Sequence, residues 1–143
     1  MIFNNILTLT HFARRSYDHM IMPVCARHNI TRMELDVLLF LANNPGRDTA
    51  AELVSLRGLT KSHVSAAVAG LAMRGLLARS HRDGNRKTVH LTPLPAASPI
   101  IADGQAAQQQ LAQALIAGFS SEELNMLNGA AERIIEHMRA VLD

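Results

Sequence analysis

Two short helical patterns joined by a glycine-containing turn constrain the fold of this chain more than any other feature. Thr49-Ala50-Ala51-Glu52 has the form of a capping box, so a helix begins there, and Arg57-Gly58 ends it, because glycine readily adopts the left-handed conformation that follows a helix. Thr60 then stands at the N-cap of a second helix. The apolar side chains of that helix follow the helical period at Val64, Ala67, Val68 and Leu71. This order of elements predicts a helix-turn-helix.

The face of the second helix opposite this apolar stripe carries small or polar side chains and no acid. Its members are Lys61, Ser62, His63, Ser65, Ala66 and Ala69. Small residues allow the helix backbone to come close to another surface, while hydroxyl and imidazole groups can donate to or accept from the edges of bases. The face therefore suits a negatively charged partner, although an ordinary solvated helix would have a similar pattern.

A basic hairpin follows the second helix directly. Gly75 closes that helix, and residues 76–91 form two extended arms around Asp83-Gly84, a dipeptide typical of tight hairpin turns. The cations on these arms are Arg79, Arg82, Arg86 and Lys87. Alternation along the second arm places Val89 and Leu91 on one face, with Thr88 and His90 on the other. A helix-turn-helix followed at once by a hairpin predicts a winged helix.

The charge of this region is unbalanced. Between Leu53 and Ala102 the chain has seven Lys and Arg residues and one acid, Asp83, whereas the whole chain has a net charge of only +2. A solvated face normally mixes both signs of charge, so a basic block of this kind indicates a polyanionic partner.

These residues resemble the winged-helix region of MarR-type (multiple antibiotic resistance regulator) transcription factors. The resemblance lies in TAAELV (49–54), LTKSHVS (59–65), GLLAR (75–79) and DGNRKTVHL (83–91), and it covers residues 31–94. It implies a homodimer that binds a pseudo-palindromic operator in double-stranded DNA, usually as a repressor, and that is released by a small effector or an oxidant. The effector of such proteins lodges between the dimerisation helices and the winged-helix lobe; its identity and its residues here are unknown.

The winged-helix interpretation assigns DNA contacts to three groups of residues. The recognition helix would read base edges in the major groove through Thr60, Lys61, Ser62, His63, Ser65 and Ala66. The wing would reach phosphates or the minor groove through Arg79, Arg82, Asn85, Arg86 and Lys87. Thr49, at the start of the preceding helix, would add a contact to a DNA phosphate through backbone N–H groups.

The chain departs from the family pattern at two places, and these departures support a rival hypothesis. Asn85-Arg86-Lys87 stand where the family often has Asp-Arg-Arg, and Ala66 and Gly70 stand where it commonly has Arg or another long polar side chain. The rival is a winged helix that has lost DNA binding and serves protein contacts instead.

The flanking segments are predicted to be helical. Residues 2–22 carry a heptad-like seam, and Pro23 kinks or ends that helix. Thr31-Arg32-Met33-Glu34 opens a buried helix over 32–43. A further helix starts within residues 95–100 and runs to about Gly118, with an apolar side formed by Ala107, Leu111, Ala114 and Leu115. Ser120-Ser121-Glu122-Glu123 opens the last helix, whose seam is Leu124, Leu127, Ala131, Ile134, Met138 and Val141.

The fold class that follows is mainly α with a small β-hairpin wing, in one domain of 143 residues. Residues 31–94 form the winged helix-turn-helix lobe, and residues 1–30 and 95–143 form a helical dimerisation region. An intramolecular bundle is the alternative to a dimer. No stretch approaches the ~20 apolar residues of a membrane span, and no export signal is recognisable, so we expect a cytoplasmic protein.

Other functions have weaker support in the sequence. Cys25 is a candidate redox thiol, since the neighbouring Arg27 and His28 would favour the thiolate; a small, partly buried apolar residue is the alternative. A metal site would make the protein a metal-sensing regulator. The seven His residues include no helical i, i+4 pair, however, so no metal site is predicted. No nucleophile elbow, phosphate loop or dinucleotide fingerprint is present, and we expect neither catalysis nor a cofactor.

Overall fold

The computed structural model describes residues 1–143 as six α-helices and one two-stranded hairpin. The elements are α1 (Ile2–His28), α2 (Arg32–Asn43), α3 (Ala50–Arg57), α4 (Lys61–Met73), β1 (Leu77–Arg82), β2 (Asn85–Pro93), a 3-10 turn (Pro95–Ala97), α5 (Ser98–Ile116) and α6 (Ser121–Leu142). The predicted fold class is confirmed. The chain divides into two compact units, Met1–Gln109 and Gln110–Asp143, which are described separately.

The predicted helix starts are confirmed because local hydrogen bonds set them. The hydroxyls of Thr31, Thr49 and Ser120 each accept from the backbone N–H three residues on, and the glutamate at that position accepts from the cap residue's own N–H. Thr60 accepts from the N–H of His63 at 3.4 Å without a reciprocal partner. Each cap satisfies donors that would otherwise lack a partner in the first turn of its helix.

The helix α1 passes through Pro23 and ends at His28, so the alternative that Pro23 ends it is wrong. Proline removes one hydrogen bond and crowds the preceding turn, at a cost of ~3 kcal/mol. Packing compensates for this loss, since Ile21, Val24 and Cys25 on the other side of the helix are all buried. The helix stops where Asn29 adopts the left-handed conformation at φ 50°.

The core of the first unit forms around α2. Six consecutive or nearly consecutive residues of this helix are buried, as predicted: Leu35, Val37, Leu38, Leu39, Phe40 and Leu41. The helix packs against α4, and the predicted stripe of α4 (Val64, Ala67, Val68 and Leu71) is buried in the same cluster. Full burial of each large side chain contributes about 1.5–3 kcal/mol, so this cluster fixes the orientation of α4.

The hairpin has the predicted turn, and Val89 and Leu91 of its predicted apolar face pack on the core. Asp83 and Gly84 both have positive φ, 53° and 71°, as a two-residue hairpin loop requires, and Arg82 pairs with Asn85 across it. Leu91 is buried and Val89 packs against the core. A contact that the sequence did not predict joins β2 to the segment before α3, because the N–H of Leu91 donates to the carbonyl of Asp48 at 2.7 Å.

The first part of α5 packs on α2 with only part of its predicted apolar side. Ala107 is buried and Leu111 half-buried, but Ala114 and Leu115 are exposed, so this chain covers only the first part of the predicted apolar side. Gly104 is buried instead, and a Cβ atom there would lie 2.8 Å from Cδ2 of Leu39. The absence of a side chain therefore allows α5 to approach α2 closely. The helix ends at Ile116 rather than near Gly118.

The second unit consists of the end of α5 and all of α6. No residue of α6 is buried. Its exposed apolar side chains include Met126, Leu127, Ile134, Ile135, Met138, Val141 and Leu142. In the first unit, the first half of α1 likewise exposes Ile2, Phe3, Leu7, Leu9 and Phe12.

Candidate nucleic-acid interface

The outward face of α4 is accessible along its whole first half. Every residue predicted to read bases is exposed: Thr60, Lys61, Ser62, His63, Ser65 and Ala66. The buried stripe on the opposite side holds the helix in place, and no acid lies in its first turn. Gly58 turns the chain from α3 into α4 at φ 62°, where a side chain would be strained. The geometry offers hydroxyl, imidazole and ammonium groups on a rigid support.

Three cations of the hairpin are exposed and form no ion pair, namely Arg79, Arg86 and Lys87. Lys87 lies beside a groove of about 430 Å³ between α3, α4 and β2, and Lys61 from the start of α4 lies at the same groove. The structure therefore brings one positive charge of the hairpin, Lys87, and one of α4, Lys61, to the same groove.

Arg82 differs from the other wing cations because it is paired. Its Nη2 lies 2.8 Å from Oδ2 of Asp48, and Nδ1 of His90 lies 3.0 Å from Oδ1 of the same carboxylate. These partners hold the pKa of Asp48 below its ordinary value, the hydrogen bond with His90 having the largest effect. Sequence reasoning missed Asp48, since the two side chains that bind it are distant in the chain.

Asn85 and Thr49 use their polar groups within the protein. Oδ1 of Asn85 accepts from the N–H groups of Lys87 and Thr88 at 3.0 and 3.4 Å, so this side chain shapes the hairpin tip. The N–H of Thr49, predicted to meet a phosphate, donates to Oε2 of Glu52 at 3.1 Å, and the Thr49 hydroxyl donates to the same oxygen at 2.9 Å.

Gly70 does not lie on the open face of α4. It is half-buried, and a Cβ atom there would meet Oε1 of Glu34 on α2. The glycine therefore makes room for a carboxylate that caps α2, and its lack of a long side chain says little about DNA contact. Ala66 is exposed, so the departure at that position does affect the outward face.

Arg74, directly after α4, binds the end of α1. Its Nη1 donates to the carbonyl of Asn29 at 2.7 Å and its Nη2 to the carbonyl of His28 at 3.2 Å. One guanidinium thus satisfies two carbonyl groups at a helix end, where the last carbonyls have no partner within the helix. Arg74 contributes to the basic block in the sequence but serves a contact inside the fold.

Cys25 has the environment of a packing residue. It is 4% exposed, and burial raises the pKa of its thiol despite the nearby Arg32. Arg27 and His28, which were expected to favour the thiolate, bind Asp103 on α5 at 2.9 and 2.6 Å instead. Reactive thiols have lowered pKa values and partial exposure, so this site favours the structural interpretation.

A cavity of about 380 Å³ lies in the first unit beneath α1, α2 and α5. Its lining residues are Tyr17, Arg32, Asp36, Leu39, Phe40, Asn43, Arg57, Leu59 and Gln108. Arg32 stacks on the Tyr17 ring at 4.8 Å and pairs with Asp18 and Asp36, and Gln108 bonds to both Tyr17 and Asn43. Arg57 lines the cavity without an acidic partner. No three His, Cys, Asp or Glu side chains converge as a metal ion requires.

Two short helices joined at Gly58, followed by an antiparallel hairpin with exposed cations, define a winged helix-turn-helix protein. Residues 28–87 match the sequence model of the MarR family. The resemblance to that family is therefore confirmed over residues 28–87, which include most of the winged helix. No curated protein matches the chain significantly in sequence, and none of its helices combines the length and hydropathy needed to cross a membrane.

Solved structures of MarR family proteins share the fold of nearly the whole chain. A transcriptional regulator from Listeria monocytogenes, solved with a 26mer DNA, has a TM-score of 0.80 and 19% identity over 93% of this chain and 87% of its own. The Staphylococcus aureus MarR in complex with salicylate and kanamycin has a TM-score of 0.77 and 18% identity, over 98% and 94%. A MarR family regulator from Silicibacter pomeroyi has a TM-score of 0.77 and 15% identity, and the match covers 92% of this chain and 86% of its own. At these identities the likeness concerns the fold alone.

Proposed function

We propose that this protein is a cytoplasmic transcriptional regulator that binds double-stranded DNA and represses, with no catalytic activity. One observation carries the proposal: Lys61 and Ser65 on the exposed, acid-free face of α4 line the same groove as Lys87 of the hairpin, whose other unpaired cations, Arg79 and Arg86, are also exposed. Cations on such a surface neutralise phosphates, and the helix beside them reads bases. The related regulator that was solved with DNA supports this assignment.

The site residues keep distinct roles in this proposal. Lys61, Ser62, His63, Ser65 and Ala66 face the major groove, with Thr60 at the start of the helix. Asn85 and Thr49 support the surface by shaping the hairpin tip and by capping α3. Residues 31–94 act as the DNA-binding lobe.

A homodimer would cover the apolar side chains that a single chain leaves in water. The exposed apolar residues of α6 include Leu127, Ile134, Met138 and Val141 of the predicted seam, and the first half of α1 exposes a second set. Exposed apolar patches of this extent mark interaction surfaces. Two copies related by a two-fold axis would place their recognition helices about one DNA turn, ~34 Å, apart, which suits a pseudo-palindromic operator.

The cavity beneath α1 is the site we propose for a small effector. It is lined by aromatic and polar groups and by the unpaired guanidinium of Arg57, so an organic anion with an apolar body fits its chemistry. The S. aureus relative in complex with salicylate supports a ligand of this kind. The ligand would release DNA if it bound the arrangement of the protein that does not bind DNA more tightly than the arrangement that does.

The test measures DNA affinity against salt for the wild type and two variants of Arg86. For each phosphate that the protein no longer neutralises, the slope of log K against log salt falls by about 0.9, hence by about 1.8 for a dimer. We expect Arg86→Ala to flatten the slope by that amount and Arg86→Lys, which keeps the charge, to preserve it. An unchanged slope for Arg86→Ala would remove the wing from the interface. A wild-type protein that binds no DNA at low salt would instead favour the protein-contact function.

Base readout is tested separately at Ser62 and His63. Changing either residue should alter which sequence is selected from random DNA, because these groups face base edges. A uniform loss of affinity for all sequences, with the same consensus, would contradict their assignment.

A further inference from the structure

The Asp48 carboxylate joins both strands of the hairpin to the segment that precedes α3. Oδ2 binds Arg82 on β1 at 2.8 Å, and Oδ1 binds His90 on β2 at 3.0 Å. Arg82 stands at the last position of β1, next to the tip turn, whereas His90 lies towards the base of the hairpin. The Asp48 side chain therefore restrains the hairpin both near its tip and near its base.

The backbone at Asp48 is fixed independently of this side chain. The Asp48 carbonyl accepts from the N–H of Leu91 at 2.7 Å, and Thr49 forms a bridge with His90. Thr49 also caps α3 together with Glu52. The carboxylate thus projects from a segment whose backbone is already fixed. Its two contacts therefore limit the movement of the hairpin, and the carboxylate does not move with it.

The pairing also changes the charge of the wing. Asp48 is the only acid within 4.0 Å of a hairpin cation, and Arg82 is the only hairpin cation that it engages. The pKa of Asp48 lies below its ordinary value, so the carboxylate is ionised at neutral pH. Arg82 therefore contributes little net charge where Arg79, Arg86 and Lys87 contribute fully.

We propose that Asp48 withholds Arg82 from DNA, so that the wing presents its other cations, and not Arg82, to phosphate. The inference rests on the proposed DNA-binding function and adds a division among the wing cations that the sequence does not show. In this arrangement Arg82 is a partner of Asp48, and Arg86 and Lys87 are the groups that meet phosphate.

The experiment compares the salt dependence of binding to a non-specific duplex for Arg82→Ala, Asp48→Asn, the double variant and Arg86→Ala. The Arg86→Ala slope calibrates the effect of one phosphate-neutralising cation per protomer. Arg82→Ala should leave the slope close to that of the wild type. Asp48→Asn frees Arg82 and should steepen the slope by about 0.9 per protomer, a change on the order of tenfold in affinity for a dimer between about 50 and 200 mM salt. The double variant should lack this increase.

Asp103→Asn is the matched control, because Asp103 also binds one arginine and one histidine, Arg27 and His28, but on α5. It removes the same charge and should leave the slope unchanged. Asp48→Glu keeps the charge and should restore the wild-type slope, which a merely structural loss would not do.

The outcomes separate this inference from the proposed function. If Arg82→Ala flattens the slope as much as Arg86→Ala, Arg82 meets phosphate and the inference is wrong. If Asp48→Asn only lowers Tm, with no coupling to Arg82→Ala, Asp48 is structural and the inference is also wrong. If Arg86→Ala itself has no effect, the wing assignment of the proposed function fails. Should Asp48→Asn not fold, the comparison of Arg82→Gln with Arg86→Gln still decides whether Arg82 is withheld.

Discussion

Replacing Gly104 by alanine tests whether the close approach of α5 to α2 is a requirement of the fold. The new Cβ atom would lie 2.8, 3.0 and 3.2 Å from Cδ2, Cδ1 and Cγ of Leu39, whereas carbon atoms in contact prefer about 3.5–4.0 Å. Leu39 is 2% exposed and packed in the core, although it also borders the cavity of about 380 Å³, so the new methyl group forces its side chain to move. Overpacking of this kind costs about 1–3 kcal/mol.

Alanine also favours a helix over glycine by up to about 1 kcal/mol, which offsets part of this cost. The net expectation for Gly104→Ala is a loss of about 0–2 kcal/mol in the free energy of unfolding. Gly70→Ala is the matched comparison, since its Cβ would meet only the carboxylate end of Glu34. That group can rotate away at the cost of its hydrogen bond to Thr31, worth about 0.5–1.5 kcal/mol, so Gly70→Ala should be close to neutral.

The assay is denaturant unfolding at one fixed protein concentration, because association shifts apparent stability. Gly104→Ala should be less stable than Gly70→Ala by about 1 kcal/mol. In combination with Leu39→Ala, which opens a cavity at the same place, Gly104→Ala should lose most of its effect, as coupled neighbours do. A Gly104→Ala protein as stable as Gly70→Ala, with additive behaviour in the double variant, would refute the packing argument.

Three further predictions concern other parts of the chain. Cys25 in the native protein should react with iodoacetamide far more slowly than in the unfolded protein, because it is buried and its pKa is raised; rapid native labelling would contradict this. The pKa of Asp103 lies below its ordinary value of 3.8, chiefly through its hydrogen bond with His28. The ionised Asp103 therefore stabilises the fold above pH 3.8, and this contribution is lost as the pH falls below that value. Asp103→Asn should make the dependence of the free energy of unfolding on pH shallower in acid. An unchanged dependence would mean that Asp103 is not held in the fold. Ser120→Ala should cost about 1 kcal/mol by removing the cap of α6, and an equal loss on Ser120→Thr would argue against capping.

The parts of the fold that could be predicted from the sequence are those governed by neighbours in the chain. Thr31, Thr49 and Ser120 set helix starts through bonds to residues three positions on. Asp83-Gly84 sets the hairpin because both residues adopt positive φ. The exposed face of α4 follows from the buried stripe on its other side.

The features that were missed depend on contacts between distant residues. Pro23 was expected to disturb α1, but the packing of Val24 and Cys25, invisible to local rules, carries the helix onward. Asp48 binds Arg82 and His90, which lie 34 and 42 positions away, so no local pattern could reveal the pairing. Leu115 was assigned to an apolar side by periodicity, which identifies a face but does not say whether this chain or another molecule covers it.

The two hydrogen bonds from Arg74 to the carbonyls of His28 and Asn29 connect the last turn of the recognition helix to the last turn of α1. A tilt of α4 must therefore carry the end of α1 with it, or break both bonds. These two hydrogen bonds hold the end of α4, the helix that we propose reads DNA, against the end of α1, the longest helix of the first unit. A displacement of the end of α1 therefore reaches α4 through this guanidinium group as well as through the packing of both helices against α2, without passing through the wing.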